Sequence, residues 1–460
     1  MVCLPETFMN QFGIKSLPLF VRNSLNQRPN LRRIVGNVGW LSVDRILRLA
    51  VGLVVSVWVA RYLGPEQFGQ LNYAVVFAFM FGALATLGLD GIVVRDIVHY
   101  PASRNEILGT AFGLKLAGGS IAVLTSVMGI VILRSGEPLT QWIVGIVAGG
   151  MVFQALDTID LWFQSQVQSR YAVMAKSSAF LVLSIAKIVL IKMQAPLIAF
   201  AWAGLAEIVV GAVGLVLAYR LRGLHFRDWS FRFVWVVKLL TDSWPLFLSG
   251  VAIMIYMKIG TVMLGQMAGD KAVGIYSAAL RISELWYFVP IAVISSMAPR
   301  ILELKKTNET LYYKRLQQSF DLMAVLAYAV ALPVTFLAKY IVLILYGQAF
   351  QASGIVLVIH IWQAVFVFLG VAFGTWFVAE GLTKAALVTT GCGAIVNVLL
   401  NIWLIPRYGA VGAALASVAA MALAGYGCFV LIPYKPFRKL GGMLTHAIIL
   451  HFVFQRINSE

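Results

Sequence analysis

Twelve apolar runs punctuate the chain, at about 36–62, 71–94, 107–133, 140–163, 172–192, 196–219, 242–266, 274–298, 319–338, 341–378 (interrupted near Gly347–Gly354), 384–405 and 409–432. About 20 predominantly apolar residues cross a bilayer as a helix. The pattern therefore predicts an all-α polytopic membrane protein of about twelve transmembrane helices. A final stretch, 441–454, has about 14 residues, short for a span, and predicts a thirteenth, interfacial or re-entrant helix. Polar segments divide the runs into a basic N-terminal segment (1–33), a first group of six (34–219), a basic linker (220–240), a second group of six (241–433) and a basic C-terminal segment ending in the short helix (434–460). Inside the first segment an apolar patch near Leu17–Val21 suits the membrane surface. No apolar core followed by a small-residue cleavage site opens the chain, so no cleavable signal peptide is predicted. The linker, RLRGLHFRDWSFRFVWVVK, interleaves aromatic residues with arginine, as a segment lying in the interface does. An even number of spans gives both groups the same orientation. Two six-helix bundles related by a pseudo-two-fold axis along the membrane normal follow, with a substrate site between them.

Composition agrees. The chain is 60% hydrophobic and 12% charged, against about 25% charged in soluble proteins. The net charge of +17 reads as loop topology and not as nucleic-acid binding. With the N-terminus and the even-numbered loops inside, lysine and arginine favour the inside by near four to one, which places both termini in the cytoplasm. Cys3, Cys392 and Cys428 have no paired spacing, so no disulfide framework, metal or cofactor is implied.

A weak repeat is visible. YLGPEQFGQLNYA follows the first run and QMAGDKAVGIYSA the seventh; Gly64 and Gly69 align with Gly269 and Gly274 at one offset of 205. Glycine and acidic residues at helix starts explain such a match equally well.

Charged residues inside the runs are the candidate chemistry, since each costs roughly 2.5–3.5 kcal/mol at the bilayer centre on insertion scales. The first run carries Asp44, Arg45 and Arg48; deeper in other runs stand Lys115, Lys187, Lys258 and Arg281, with Glu207, Glu284, Asp157, Asp160 and Asp321 as available carboxylates. Asp44 and Arg48, four apart, share a face and can neutralise each other, which leaves Arg45 to line a wet cavity, to pair structurally or to snorkel to the interface. Arg281 and Glu284 are three apart and form a candidate local pair. Lys258 has no acidic residue within a helical turn, and reads as a cavity cation or as one arm of a cross-helix bridge. Asp90 and Arg95 end the second run at the inner mouth, where Arg95 either receives a headgroup or anchors the helix. His360 reads as a proton relay or as hydrogen-bonded packing. Asn397 and Asn401 share a face, for bonds across helices or to sugar hydroxyls. Glu380, at the inner mouth, reads as a solvated carboxylate.

The segments ARYLGPEQFGQLNYA, LGLDGIVVRDI, GDKAVGIYSAALRISE and IPRYGAVGAALAS together resemble the bacterial polysaccharide flippases, the O-antigen and exopolysaccharide transporters of the multidrug/oligosaccharidyl-lipid/polysaccharide superfamily. The resemblance covers roughly 35–435. It implies two six-helix bundles in a V around a cavity open alternately to either side. It also implies a lipid-linked oligosaccharide as cargo, in a bacterial cytoplasmic membrane. On that reading the basic groups Arg45, Arg48, Lys258 and Arg281, with Lys187 and Lys115 behind them, suit a polyprenyl-pyrophosphate head, and Asp44, His360, Glu207, Asn397 and Asn401 are candidates for coupling or for a polar cavity wall. Expected partners are the cargo, membrane lipids, and a polysaccharide polymerase and glycosyltransferases, with the chain itself monomeric and no nucleic acid involved. A drug/cation antiporter of the same superfamily needs acidic groups in its cavity, whereas these lean basic. A polytopic enzyme needs a sizeable outer domain, and the outer loops are a handful of residues. A scaffold of polysaccharide synthesis leaves the buried charges without a use.

Overall fold

A computed structural model describes residues 29–427, together with 442–445 and 447. The patch near Leu17–Val21 lies outside the described residues, as do most of 1–33 and all but those five residues of 434–460, the predicted short helix at 441–454 included. Every regular element described is helical. Ten helical stretches are long and apolar enough to cross a membrane. Three long helices carry a glycine whose backbone leaves the helical region, and these mark where the chain turns. Gly64 (φ 71°, ψ 173°) divides the helix Pro29–Met80, Gly269 (φ 81°, ψ 175°) divides Phe233–Glu284, and Gly409 (φ 53°, ψ −128°) divides Thr383–Ala422. A positive φ costs a glycine nothing that other residues avoid, and Pro65 and Asp270 then sit in the first turn of the new helix, where each is favoured.

Split at those glycines, the long elements are α1 (29–63), α2 (65–80), α3 (Arg104–Leu133), α4 (Pro138–Phe153), α5 (Arg170–Lys192) and α6 (Leu197–Leu221) in the first half. The second half holds α7 (233–268), α8 (270–284, continued by Phe288–Thr307), α9 (Glu309–Tyr346), α10 (Gln363–Ala379), α11 (383–408) and α12 (410–422). Short helices Gly82–Thr86 and Asp90–His99 extend α2, and Ser353–His360 precedes α10.

One boundary differs from the apolar pattern. The ninth and tenth runs are separated in sequence near Lys339. In the structure α9 continues unbroken through Lys339 and Tyr340 to Tyr346 and stops at Gly347 (φ 81°). Two polar side chains on an exposed face do not end a helix; a residue in the left-handed region does. The linker is likewise more folded than an isolated interfacial segment: α7 begins inside it at Phe233, and residues 226–229 pack against the first half.

The cores show how the halves meet. One apolar cluster joins both halves and includes Phe68, Tyr73, Val262, Tyr276, Tyr346 and Phe350. Two others are separate. Leu89, Ile107, Trp162 and Tyr219 of the first half, with Leu239 from the start of α7, form one; Ile294, Phe320, Phe368 and Trp376 of the second half form the other.

Candidate functional site

The shared cluster lies at the end of the molecule where Gly64, Gly269, Gly347 and Gly409 turn the chain, the outer end on the lysine and arginine count. There α2 and α8 touch backbone to backbone. A Cβ on Gly69 would stand 1.8 Å from the Asp270 carbonyl oxygen, and one on Gly274 would stand 1.8 Å from the Pro65 carbonyl oxygen. Pro65 and Asp270 are themselves 205 apart, so the contact is reciprocal in the same register as the sequence repeat.

Around this crossing a buried arginine ties three helices. Arg134, at the end of α3, donates to Glu137 (2.8 Å), to Asp270 on α8 and to the Gly265 carbonyl on α7 (2.8 Å). Its guanidinium lies 3.9 Å from the centre of the Tyr73 ring on α2, and Gln266 donates to the Tyr73 hydroxyl (2.7 Å). Arg61 donates to the Leu345 and Ile344 carbonyls at the end of α9. Sequence reading missed Arg134 because it stands in a short loop, where a cation is ordinary.

Halfway down, the character changes. Arg281 lies twelve residues below Gly269, about 18 Å at 1.5 Å per residue. It is exposed, reaches the Asn72 side-chain oxygen on α2 (3.4 Å), and has no carboxylate within salt-bridge distance among the described residues. Lys258, at matching depth on α7, faces Glu284 at 3.7 Å, so the cross-helix reading of Lys258 holds, with a long and half-exposed contact. Arg281 and Glu284 do not form the local pair expected from their spacing, because the carboxylate turns toward α7.

Asp44, Arg45 and Arg48 lie lower, 16 to 20 residues below Gly64, about 24–30 Å, and so toward the end opposite the crossing, the inner one on the lysine and arginine count, not at half depth. Arg48 bonds Asp44 (2.9 Å) and lies 5.1 Å from the Phe180 ring centre, while Ser177 donates to Asp44. Arg45 is exposed and has no ion pair among the described residues.

Other candidates are held in place by partners. Lys115 is buried and bonded to Asp90, so neither is free for cargo; the carboxylate comes from the first turn of the short helix after α2. Lys187 bonds Glu207 (2.9 Å) between α5 and α6. Arg95 bonds Asp96 (2.8 Å) and, across the halves, Asp242 at the start of α7. Those two carboxylates hold its guanidinium pKa above the ordinary value, the Asp96 hydrogen bond leading. His360 is buried, its Nδ1 2.9 Å from the Ser283 hydroxyl and its ring edge-on to Tyr276, which is the packing reading. Asn397 and Asn401 are buried, and Asn401 donates to the Asn397 backbone and side-chain oxygens (2.8 and 2.7 Å), bonds made along one helix. Glu380 is not a freely solvated carboxylate, since Lys305 (2.8 Å) and Tyr312 (3.2 Å) both donate to it.

Comparison with known proteins fits this geometry. Residues 34–305 match the family model described as "Polysaccharide biosynthesis protein", and 245–403 match the MatE model. The chain is 32% identical over 176 residues to the probable flippase AglR of Haloferax volcanii, a match spanning 37% of this chain but only 36% of that relative's length. It is 20% identical over 416 residues, 88% of this chain and 99% of the relative, to the capsular polysaccharide biosynthesis protein CapF of Staphylococcus aureus. A solved structure of the lipid II flippase MurJ, inward closed conformation, superposes with a TM-score of 0.66 at 14% identity, over 90% of this chain and 92% of that one.

Proposed function

The chain belongs to the polysaccharide biosynthesis protein family, whose members are membrane transporters of the flippase kind and not enzymes, and from that premise we propose that it carries a polyprenyl-pyrophosphate-linked oligosaccharide from the cytoplasmic to the outer leaflet of a bacterial cytoplasmic membrane by alternating access. Splitting the long helices at Gly64, Gly269 and Gly409 gives the twelve long elements α1–α12; twelve crossings put both termini on one side, the cytoplasmic one on the lysine and arginine count. The reciprocal Gly69–Gly274 contact supports a pseudo-two-fold axis along the membrane normal between two six-helix bundles. The sealed outer end and the two separate inner cores fit a state that receives cargo from the cytoplasm.

One observation carries the reading. Arg281 stands at half depth on the seam between the halves, exposed and without a carboxylate. Such a charge is costly in a membrane protein unless it meets water or an anion. A pyrophosphate head is the anion, with Arg281 binding bidentately and Lys258 as a point charge. Arg45, and Arg48 beside Asp44, would meet the head first at the inner mouth. The prenyl chain stays in lipid and the sugars occupy water between the halves. Two negative charges moving outward across 100 mV, inside negative, gain roughly 4–5 kcal/mol. The cation-antiporter reading is weaker: Asp44, Glu207 and Glu284 each face a lysine or arginine within 4 Å.

The test is export of radiolabelled lipid-linked sugar into inverted membrane vesicles by Arg281→Ala, Arg45→Ala and the double variant at matched protein level. Loss of one charge-assisted pair, about 1.5–3 kcal/mol, predicts a ten-fold or greater fall for Arg281→Ala and a larger one for the double variant. Full export by the double variant would exclude both residues from the mechanism.

A further inference from the structure

The linker between the halves, and not the seam, carries the second site. Residues 224–232 are pinned to α3 at several points. Ser230 N–H donates to the Asn105 carbonyl (3.3 Å), Arg232 N–H to the Thr110 hydroxyl (3.1 Å), and Trp235 Nε1 to Glu106 (3.0 Å). The approach needs Gly109, since a Cβ there would stand 2.6 Å from the Ser230 carbonyl oxygen. Trp229 is fixed from both sides: its Nε1 donates to the Tyr219 hydroxyl (3.0 Å), and its ring meets those of Phe226 and Phe112 with centres 4.8 and 5.7 Å away.

What this folding leaves is a cavity of about 460 Å³ lined by Gly109, Phe112, Leu156, Phe226, Trp229 and Phe231. The volume is in the range of small-ligand sites, yet no wall residue is charged. Charge surrounds it instead. The segments 104–106 and 220–232 supply Arg104, Arg220, Arg222, Arg227 and Arg232 against Glu106 and Asp228. Arg232 takes up Glu106 (3.1 Å) and Arg222 bonds Gln168 (2.7 Å). Arg104 and Arg227 are exposed and have no ion pair among the described residues. At the edge of the cavity Phe231 is 60% exposed, and beyond it Phe233 and Val234 are 73% and 76% exposed, an apolar rim that belongs in the membrane interface.

An apolar slot under unpaired cations at the cytoplasmic surface matches one kind of molecule, an amphiphile with an anionic head and a hydrocarbon chain. We propose that the linker is a binding site for one anionic glycerophospholipid of the cytoplasmic leaflet, with an acyl chain in the aromatic cavity and the phosphate between Arg104 and Arg227. The lipid here is distinct from the cargo. The cavity lies on the α3 side of the first half, away from the seam, and the linker leads directly into α7, so the occupied site fixes the start of that helix to the first half.

The experiment uses the full chain, purified in detergent and titrated with dioleoyl phosphatidylglycerol or dioleoyl phosphatidylcholine, bound lipid being counted by native mass spectrometry. The expected result is one phosphatidylglycerol retained at least ten-fold more tightly than phosphatidylcholine. At about five-fold for each surface arginine, Arg104→Ala with Arg227→Ala lowers phosphatidylglycerol retention roughly twenty-five-fold. Both side chains are exposed, so melting of that variant stays at the wild-type temperature. Dihexanoyl phosphatidylglycerol, with the same head and short chains, binds far more weakly. Equal retention of the two dioleoyl lipids, an unchanged affinity in the arginine variant, or short chains binding as well as long ones would overturn the proposal. So would displacement of phosphatidylglycerol by an equal concentration of a polyprenyl phosphate, which would return the site to the cargo.

Discussion

The two ends of the seam between the halves are built by different means. At the outer end two glycines bring backbones into contact, one core spans both halves, and Arg134 ties α3, α7, α8 and the ring on α2 together. At the opposite end, the inner one on the lysine and arginine count, the cores are separate, the first half's taking in Leu239 of α7, and among the described residues the halves meet on one side. There Gly88 lies against the α7 backbone, where a Cβ would stand 2.7 Å from Phe247 N, and Arg95 and Lys238 reach Asp242 and Asp96 across the join. On the other side, Ile291, Ala292, Ser295 and Ser296 of the helix continuing α8 are exposed. Between lipid-exposed helices apolar burial drives little association, so close packing of small residues and polar ties decide which surfaces stay together. The outer end has both, and among the described residues the inner end has them on one side, which leaves the other side free to separate.

That contrast can be broken. The largest effect is expected at the crossing. Gly274→Val or Gly69→Val places a side chain on a backbone carbonyl that cannot move aside, and overpacking of this kind costs about 3 kcal/mol or more. Thermal unfolding in detergent should show a fall of many degrees or no folded protein, and a melting point within a degree or two of wild type would mean that the helices do not cross here. Arg134→Ala comes next. It strands Asp270 beside Glu137 and removes the tie to Gly265, a loss of about 3–5 kcal/mol for a broken buried pair. Because the loss falls on the closed outer end alone, a cysteine at Val273, fully buried beside the crossing, should become several-fold more reactive toward a membrane-impermeant maleimide added outside. Unchanged labelling would show that the outer end is held without Arg134. The smallest effect belongs to Arg95→Ala, which removes a part-exposed bridge to Asp242 and one of two cation contacts of the buried Asp96, about 1–3 kcal/mol, so melting should fall by a few degrees and transport should move little. A loss of transport like that of Arg281→Ala would place Arg95 on the cargo path after all.

Only some of the candidate site was legible from single residues. Asp44 with Arg48 was readable, because four residues on a helix set the distance whatever surrounds it. The partners of Lys115, Lys187 and Lys258 lie 25, 20 and 26 residues away in sequence, on other helices, and whether they meet depends on how two rods are rotated against each other. Arg281 with Glu284 is the converse case. Their spacing permits a pair, and packing turned the carboxylate to Lys258 instead.

By itself the sequence determined that this is an all-helical membrane protein and roughly where its helices run, and it offered a weak repeat at an offset of 205. Those properties are local, resting on apolar length, on cation bias and on glycines at which a chain can turn sharply. Tertiary structure alone decided which cations stay unpaired, which end of the seam is sealed, and that the linker folds into an aromatic cavity. Each of these is set by contacts between segments far apart in the chain, whose distances no one-dimensional pattern contains.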